Sequence, residues 1–267
     1  MSPAASWGVA RTGESPAIVL HVPHAGLEVP ADVRADIVLD DAALNAELAA
    51  MTDRHTDHLA LAAREAAGVD AIAFLNRLSR FVVDPERLPD DDEPMAARGM
   101  GRVYRATSTL GVLRRADPDR EAALVEQYLE PYAAAFAAVV GEVIEARGEV
   151  TIVDVHSYPC APLPYEDDPS ADRPGLCVGT DRTHTSAWLS GAVEAAFDGV
   201  RGGVACDTPF AGTYVPLDRY GSDPRCRSVM VEIRRDLYMD EHTLELHDGA
   251  ADVIRRLADL LRVIAAA

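Results

Sequence analysis

Val150-Thr151-Ile152-Val153-Asp154-Val155, followed at once by His156-Ser157, is the stretch that decides the fold. Five of these first six residues are β-branched. An apolar run without alternation marks a strand covered on both faces, as in a parallel sheet between helix layers. A second such run, Ala17–Val22, stops at Pro23-His24-Ala25-Gly26, where proline and glycine force a turn. A third, Ser228–Ile233, carries Glu232 and leads into Arg234 and Arg235.

Between these runs the pattern turns helical. Asp40–Ala67 reads as mostly helix closed by Gly68, Asp117–Arg147 as a long amphipathic helical stretch with a break expected near Pro131, and His184–Phe197 and Glu241–Ala266 as later helices. Asp70–Leu75, Phe81–Val83, Leu176–Gly179 and Gly203–Asp207 read as shorter strands. Strand and helix therefore alternate from end to end. The expectation is one α/β domain over residues 1–267, a three-layer sandwich around a mixed, mostly parallel sheet. Leu88–Gly111 and Pro159–Pro174 are longer than ordinary connections, which points to a functional role or local disorder.

Composition narrows the partners. The 267 residues hold 25 Lys+Arg against 44 Asp+Glu, a net charge of −19. That balance argues against nucleic acid, which needs a concentrated positive field, and against anionic membranes. No apolar stretch approaches the ~18 residues of a membrane span. The first residues lack the apolar core of a signal peptide. Cys160, Cys177, Cys206 and Cys226 form no CxxC pair and read as free thiols in a reducing cytoplasm.

In α/β sheets, sites form beyond the carboxyl ends of strands. His24, His156 and Glu232 follow or end three different strands, with Arg80, Asp84 and Arg87 around Phe81–Val83. Two imidazoles and a carboxylate are a common ligand set for catalytic zinc. Thr52–His58 (TDRHTDH) adds Asp53, His55, Asp57 and His58, and spacing alone does not choose among them. Each residue also has a structural reading. A strand-end histidine is often only hydrogen-bonded, His21 reads as a core or rim residue, and His184 as a residue near a helix start. His242 and His247 read as solvated, as does the acidic run Asp90–Asp92. Glu232 and Arg80 each fit a simple ion pair. Ser157 lacks the glycine elbow of a serine hydrolase.

Five blocks in order bring these residues into one pattern: VPHAG at 22–26, TDRHTD at 52–57, SRFVVDPERLPDDDEP at 79–94, DVHS at 154–157, and the late pair PFAGTYVPLDRYGSDP with VMVEIRRDLYMDE. In these blocks the chain resembles the N-formylglutamate amidohydrolase family, related to zinc carboxypeptidases and aspartoacylases. The resemblance implies a phosphorylase/hydrolase-like fold and a zinc-dependent amidohydrolase with one Zn2+ per chain. It implies His24, Asp53 and His156 as metal ligands and Glu232 as general base. Arg80 would contact the substrate carbonyl or oxyanion, and Arg87 a substrate carboxylate. The implied reaction is N-formyl-L-glutamate to L-glutamate and formate, in the histidine catabolism of the cytoplasm. Alternatives are another N-acyl amino acid or peptide-like substrate, or a binding protein of this fold without the chemistry. Where the family carries asparagine, this chain has Glu86, whose charge would repel a substrate carboxylate unless it points away or pairs with arginine.

Elementary chemistry fits the same residues. A three-ligand zinc brings the pKa of its water to about 7, and a neighbouring carboxylate can move the proton. An anionic substrate on so acidic a protein needs a local positive island, expected at Arg80 and Arg87, with Arg77, Arg219 and Arg234 as further candidates. Asp154 shares a strand face with His156 and is placed to orient a ligating imidazole.

Overall fold

The structure is a computed structural model describing residues 6–89, 93–166, 168, 170 and 172–267. Among these residues seven strands make one sheet: β1 (Trp7–Arg11), β2 (Ile18–Val22), β3 (Ala71–Asn76), β4 (Val150–Tyr158), β5 (Leu176–Gly179), β6 (Val204–Cys206) and β7 (Cys226–Arg234). Their spatial order is β1-β3-β2-β4-β7-β5-β6. The central block β3-β2-β4-β7 is parallel. The antiparallel pairings are β1 with β3 and β5 with β7.

The apolar runs are buried as continuous apolar strands require. β2 and β4 are buried at every position. One face, through Leu20, Val22, Val153, Val155, Val229 and Val231, packs on α3 (Thr56–Ala67), α6 (Ala187–Ala196) and α7 (Gly249–Ala265). The other, through Val19, Ile72, Phe74 and Ile152, packs on α5 (Glu130–Arg147). These are the three expected layers. No helix of the described residues is long and apolar enough to cross a membrane.

Four elements depart from the sequence expectation. Asp40–Ala67 is two helices, α2 (Asp41–Met51) and α3, separated at Thr52–His55. His55 takes the left-handed conformation, φ 67°, at a break that no glycine or proline announces. Long-range bonds hold it: Asp53 N–H donates to His24 O at 3.0 Å, and His55 Nε2 to Leu244 O at 2.9 Å. Phe81–Val83 is a buried turn rather than a strand, an ambiguity inherent in short apolar runs. The final helix begins at Gly249, not Glu241. β1 was not anticipated, being a short half-exposed edge strand with a glycine in it.

Pro131 falls within the first turn of α5, just after a π-helical turn at Val125–Leu129, so the long helical stretch passes it without ending. Asp90–Asp92 lie outside the described residues. The adjoining Glu93 is buried rather than solvated and accepts from the Leu88 and Met95 N–H groups.

Candidate metal centre and active-site cavity

The carboxyl ends of β2, β4 and β7 open into one cavity of about 540 Å³. His24 reaches it from the turn after β2. That turn is tight at Gly26, where a Cβ would lie 2.3–2.5 Å from backbone atoms of Arg77 and Leu78. Asp53 enters from the break between α2 and α3. His156 and Glu232 sit opposite each other in the β4–β7 register and so project to the same side.

His24, Asp53 and His156 are buried and converge. His24 Nδ1 lies 3.3 Å from His156 Nδ1 and 3.7 Å from Asp53 Oδ2, and His156 Nδ1 lies 3.2 Å from Asp53 Oδ2. A tetrahedral zinc sets its donor atoms roughly 3.3–3.6 Å apart, so the triangle fits that ion. The far nitrogens of both imidazoles meet carboxylates. His24 Nε2 is 2.8 Å from Asp84 Oδ1, and His156 Nε2 is 3.1 Å from Asp154 Oδ1. The first is a hydrogen bond, which fixes the His24 ring; the second is an ion-pair approach without hydrogen-bond alignment.

Asp84 is itself pinned by Tyr104 O–H at 2.7 Å and the Glu86 N–H at 3.1 Å. Burial works against its charge, but His24, Arg87 and Arg80 hold it well below the usual carboxylate range. Burial, with Arg80 adding to it, lowers His24, the sense that keeps an imidazole neutral. For His156 burial is outweighed by Glu86 and Asp154, which push it upward. Burial pushes the Glu232 carboxyl up to about 8, and its Oε2 has no hydrogen-bond partner. The ion-pair alternative for Glu232 is therefore not realised among the described residues.

The arginines are arranged differently from the expected island. Arg80 lies against His24 Nδ1 and is 3.8 Å from Asp84. Arg87 is 3.4 Å from Asp84, 3.5 Å from Glu93, and donates to Tyr104. Asp84 thus neutralises much of both. Arg235 lines the cavity, donating to Ala50 O and lying 3.6 Å from Asp53. Arg234 pairs with Asp236, and neither Arg77 nor Arg219 lines the cavity.

Glu86 points inward. Its carboxylate stands 3.2 Å from His156 Nε2 and 3.6 Å from His24 Nδ1, on the wall between this cavity and a second one of about 450 Å³. Ser157 is 3.4 Å from the Arg235 guanidinium.

The remaining candidates separate cleanly. Asp57 and His58 are exposed on α3, and His242 and His247 are exposed as expected. His184 is buried and bonded at both nitrogens to backbone, with Cys226 O and Gly221 N–H. Glu166, in the long Pro159–Pro174 connection, is half-buried and forms a 2.5 Å ion pair with Arg173. Sequence reasoning passed over the Asp84–His24 bond, whose one signal was the placement of Asp84 beside Arg80.

The family model described as FGase, N-formylglutamate amidohydrolase, matches residues 16–239. The chain is similar to the crystal structure of N-formylglutamate amidohydrolase from Ralstonia eutropha JMP134, with 26% identity, 98% of each chain covered and a TM-score of 0.81. A gene product from Agrobacterium tumefaciens shares the fold at 20% identity, covering 98% of this chain and 96% of its own, with a TM-score of 0.70. Among curated proteins none matches significantly. With the match spanning most of the chain and an amidohydrolase structure superposing over nearly all of it, the protein belongs to the N-formylglutamate amidohydrolase family.

Proposed function

We propose that the chain is a single metal-dependent catalytic domain that hydrolyses the amide bond of an N-acyl amino acid, with N-formyl-L-glutamate as the leading substrate. The observation that carries this is the buried donor triangle of His24, Asp53 and His156 with Glu232 in register beside it. Those three residues would hold one Zn2+ per chain. When bound, the ion supplies a Lewis acid and a water acidic enough to give hydroxide near neutral pH.

The chain's own groups do the rest. Glu232 takes the proton of the attacking water and returns it to the leaving amine. A cation held by His24, Asp53 and His156 would favour the charged carboxylate that Glu232 must be to accept that proton. Arg80, beside the triad, donates to the carbonyl oxygen as negative charge develops there. Arg87, already in contact with Asp84, Glu93 and Tyr104, offers a substrate carboxylate its remaining N–H hydrogens. The products, L-glutamate and formate, would place the protein in cytoplasmic histidine catabolism. The four free thiols fit a reducing compartment.

A second reading has a specific support. Glu86 turns its charge toward the cavity with no arginine in ion-pair contact among the described residues, so a substrate with a neutral or cationic side chain would meet less repulsion there than glutamate. The test is turnover of the zinc-loaded protein on a panel of N-formyl, N-acetyl and N-succinyl amino acids. Preference for N-formyl-L-glutamate is expected from the first reading. Preference for a neutral or basic side chain selects the second, and no hydrolysis of any member defeats both.

A further inference from the structure

Behind His156 lies a chain of buried polar groups that the proposed chemistry does not use. His21 of β2 stands opposite Asp154 of β4 in the sheet register. Its Nδ1 is 2.8 Å from Asp154 Oδ1, and its Nε2 is 2.8 Å from the Tyr132 hydroxyl on α5. The other Asp154 oxygen accepts the Tyr214 N–H at 3.0 Å. His21 is fully buried, its ring centroid 4.4 Å from that of Phe136 and 4.9 Å from that of Tyr214.

Donor counting fixes the protons. A carboxylate only accepts, so His21 Nδ1 carries hydrogen toward Asp154. In the neutral ring His21 Nε2 then accepts from the Tyr132 O–H. Asp154, held by His21 and Tyr214, presents its Oδ1 3.1 Å from His156 Nε2. Glu86 Oε1 approaches the same nitrogen at 3.2 Å. Neither approach is aligned as a hydrogen bond, and His156 Nδ1 itself meets Asp53 Oδ2 at 3.2 Å. Once a cation takes Nδ1, the charge of the two carboxylates favours hydrogen on Nε2.

We propose that His21 and Tyr132 are positioning residues, which fix Asp154 and through it the tautomer and ring orientation of His156. This rests on the reading of His156 as a metal ligand. It assigns a task to a histidine that otherwise looks like core, in a layer where phenylalanine would pack as well. Partners that orient a ligating imidazole typically change metal affinity about 10–100-fold when lost.

The experiment uses the full chain with His21→Phe, which keeps an aromatic ring between Phe136 and Tyr214, and with Tyr132→Phe, which removes one hydroxyl. Zinc affinity is measured by chelator competition. The His156 ring nitrogens are read by 15N NMR in the zinc-loaded protein. Weakened zinc binding of about tenfold or more is expected in His21→Phe, with a smaller loss in Tyr132→Phe. The His156 15N shifts should move, and kcat should fall with little change in KM. If His21→Phe does not fold, Tyr132→Phe alone decides by the same readouts. Wild-type zinc affinity with unmoved His156 shifts in the folded variants overturns the inference and leaves the function reading standing. Failure of the wild-type chain itself to bind zinc overturns that reading, and the inference with it.

Discussion

Glu232 is a carboxyl buried inside a strand, and its environment has a measurable consequence. In the metal-free protein its pKa is about 8 against an ordinary 4.5. Between those values the folded state holds a proton that the unfolded chain has released. Its contribution to stability is therefore fully present below about pH 4.5 and is lost as pH rises through about 8. Glu232→Gln removes this dependence. Denaturant unfolding of both metal-free proteins should show the variant gaining on wild type between about pH 5 and pH 9, and parallel curves would contradict the assignment. In the zinc-loaded protein the same variant should keep its metal and lose about a hundredfold or more in kcat. At this scale much of the site was legible. His24, His156 and Glu232 stand at the ends of apolar runs, where sheets of this class place their chemistry. Asp53 and Asp57 were not separable by spacing, since a helix places both on one face. Only the unannounced break after α2 turns one inward and leaves the other in solvent. His21 read as core because its partners lie 133 and 111 residues away, at separations no local pattern reports.

The elements that deliver those residues are more demanding than the strands suggest. The turn after β2 brings backbone so close to Arg77 and Leu78 that position 26 has no room for a side chain. Gly26→Ala must push main chain against main chain and shift the adjoining His24. It is expected to cost about 1–3 kcal/mol of stability and to weaken zinc binding, read by denaturation and chelator competition on one preparation. Wild-type values for both would mean the turn does not set His24. The break between α2 and α3 works by the same logic, because Asp53 reaches the cavity from a segment tied by its N–H to His24 O. The central parallel strands were readable because continuous apolar runs have few alternatives. Phe81–Val83 was not, since burial alone does not distinguish a strand from a packed turn. β1 was missed because an edge strand, half exposed and interrupted by glycine, carries almost no pattern.

Across the whole molecule, the charge of −19 conceals a local arrangement. Around the cavity the positive groups Arg80, Arg87 and Arg235 are interleaved with Asp53, Asp84, Glu86 and Glu232 rather than gathered into an island. Carboxylates so concentrated repel one another unless protons or a cation intervene, so the proposed metal would add to the stability of the fold. A ligand that binds only the folded state adds about 2.7 kcal/mol at a hundred times its dissociation constant. The most direct measurement is therefore a zinc titration of the metal-stripped chain, following formate release from N-formyl-L-glutamate and thermal unfolding together. Both should rise in parallel and level off at about one zinc per chain, and both responses should vanish in His24→Ala and His156→Ala. Full turnover by the stripped protein, or an undiminished zinc response in both variants, would contradict the metal centre.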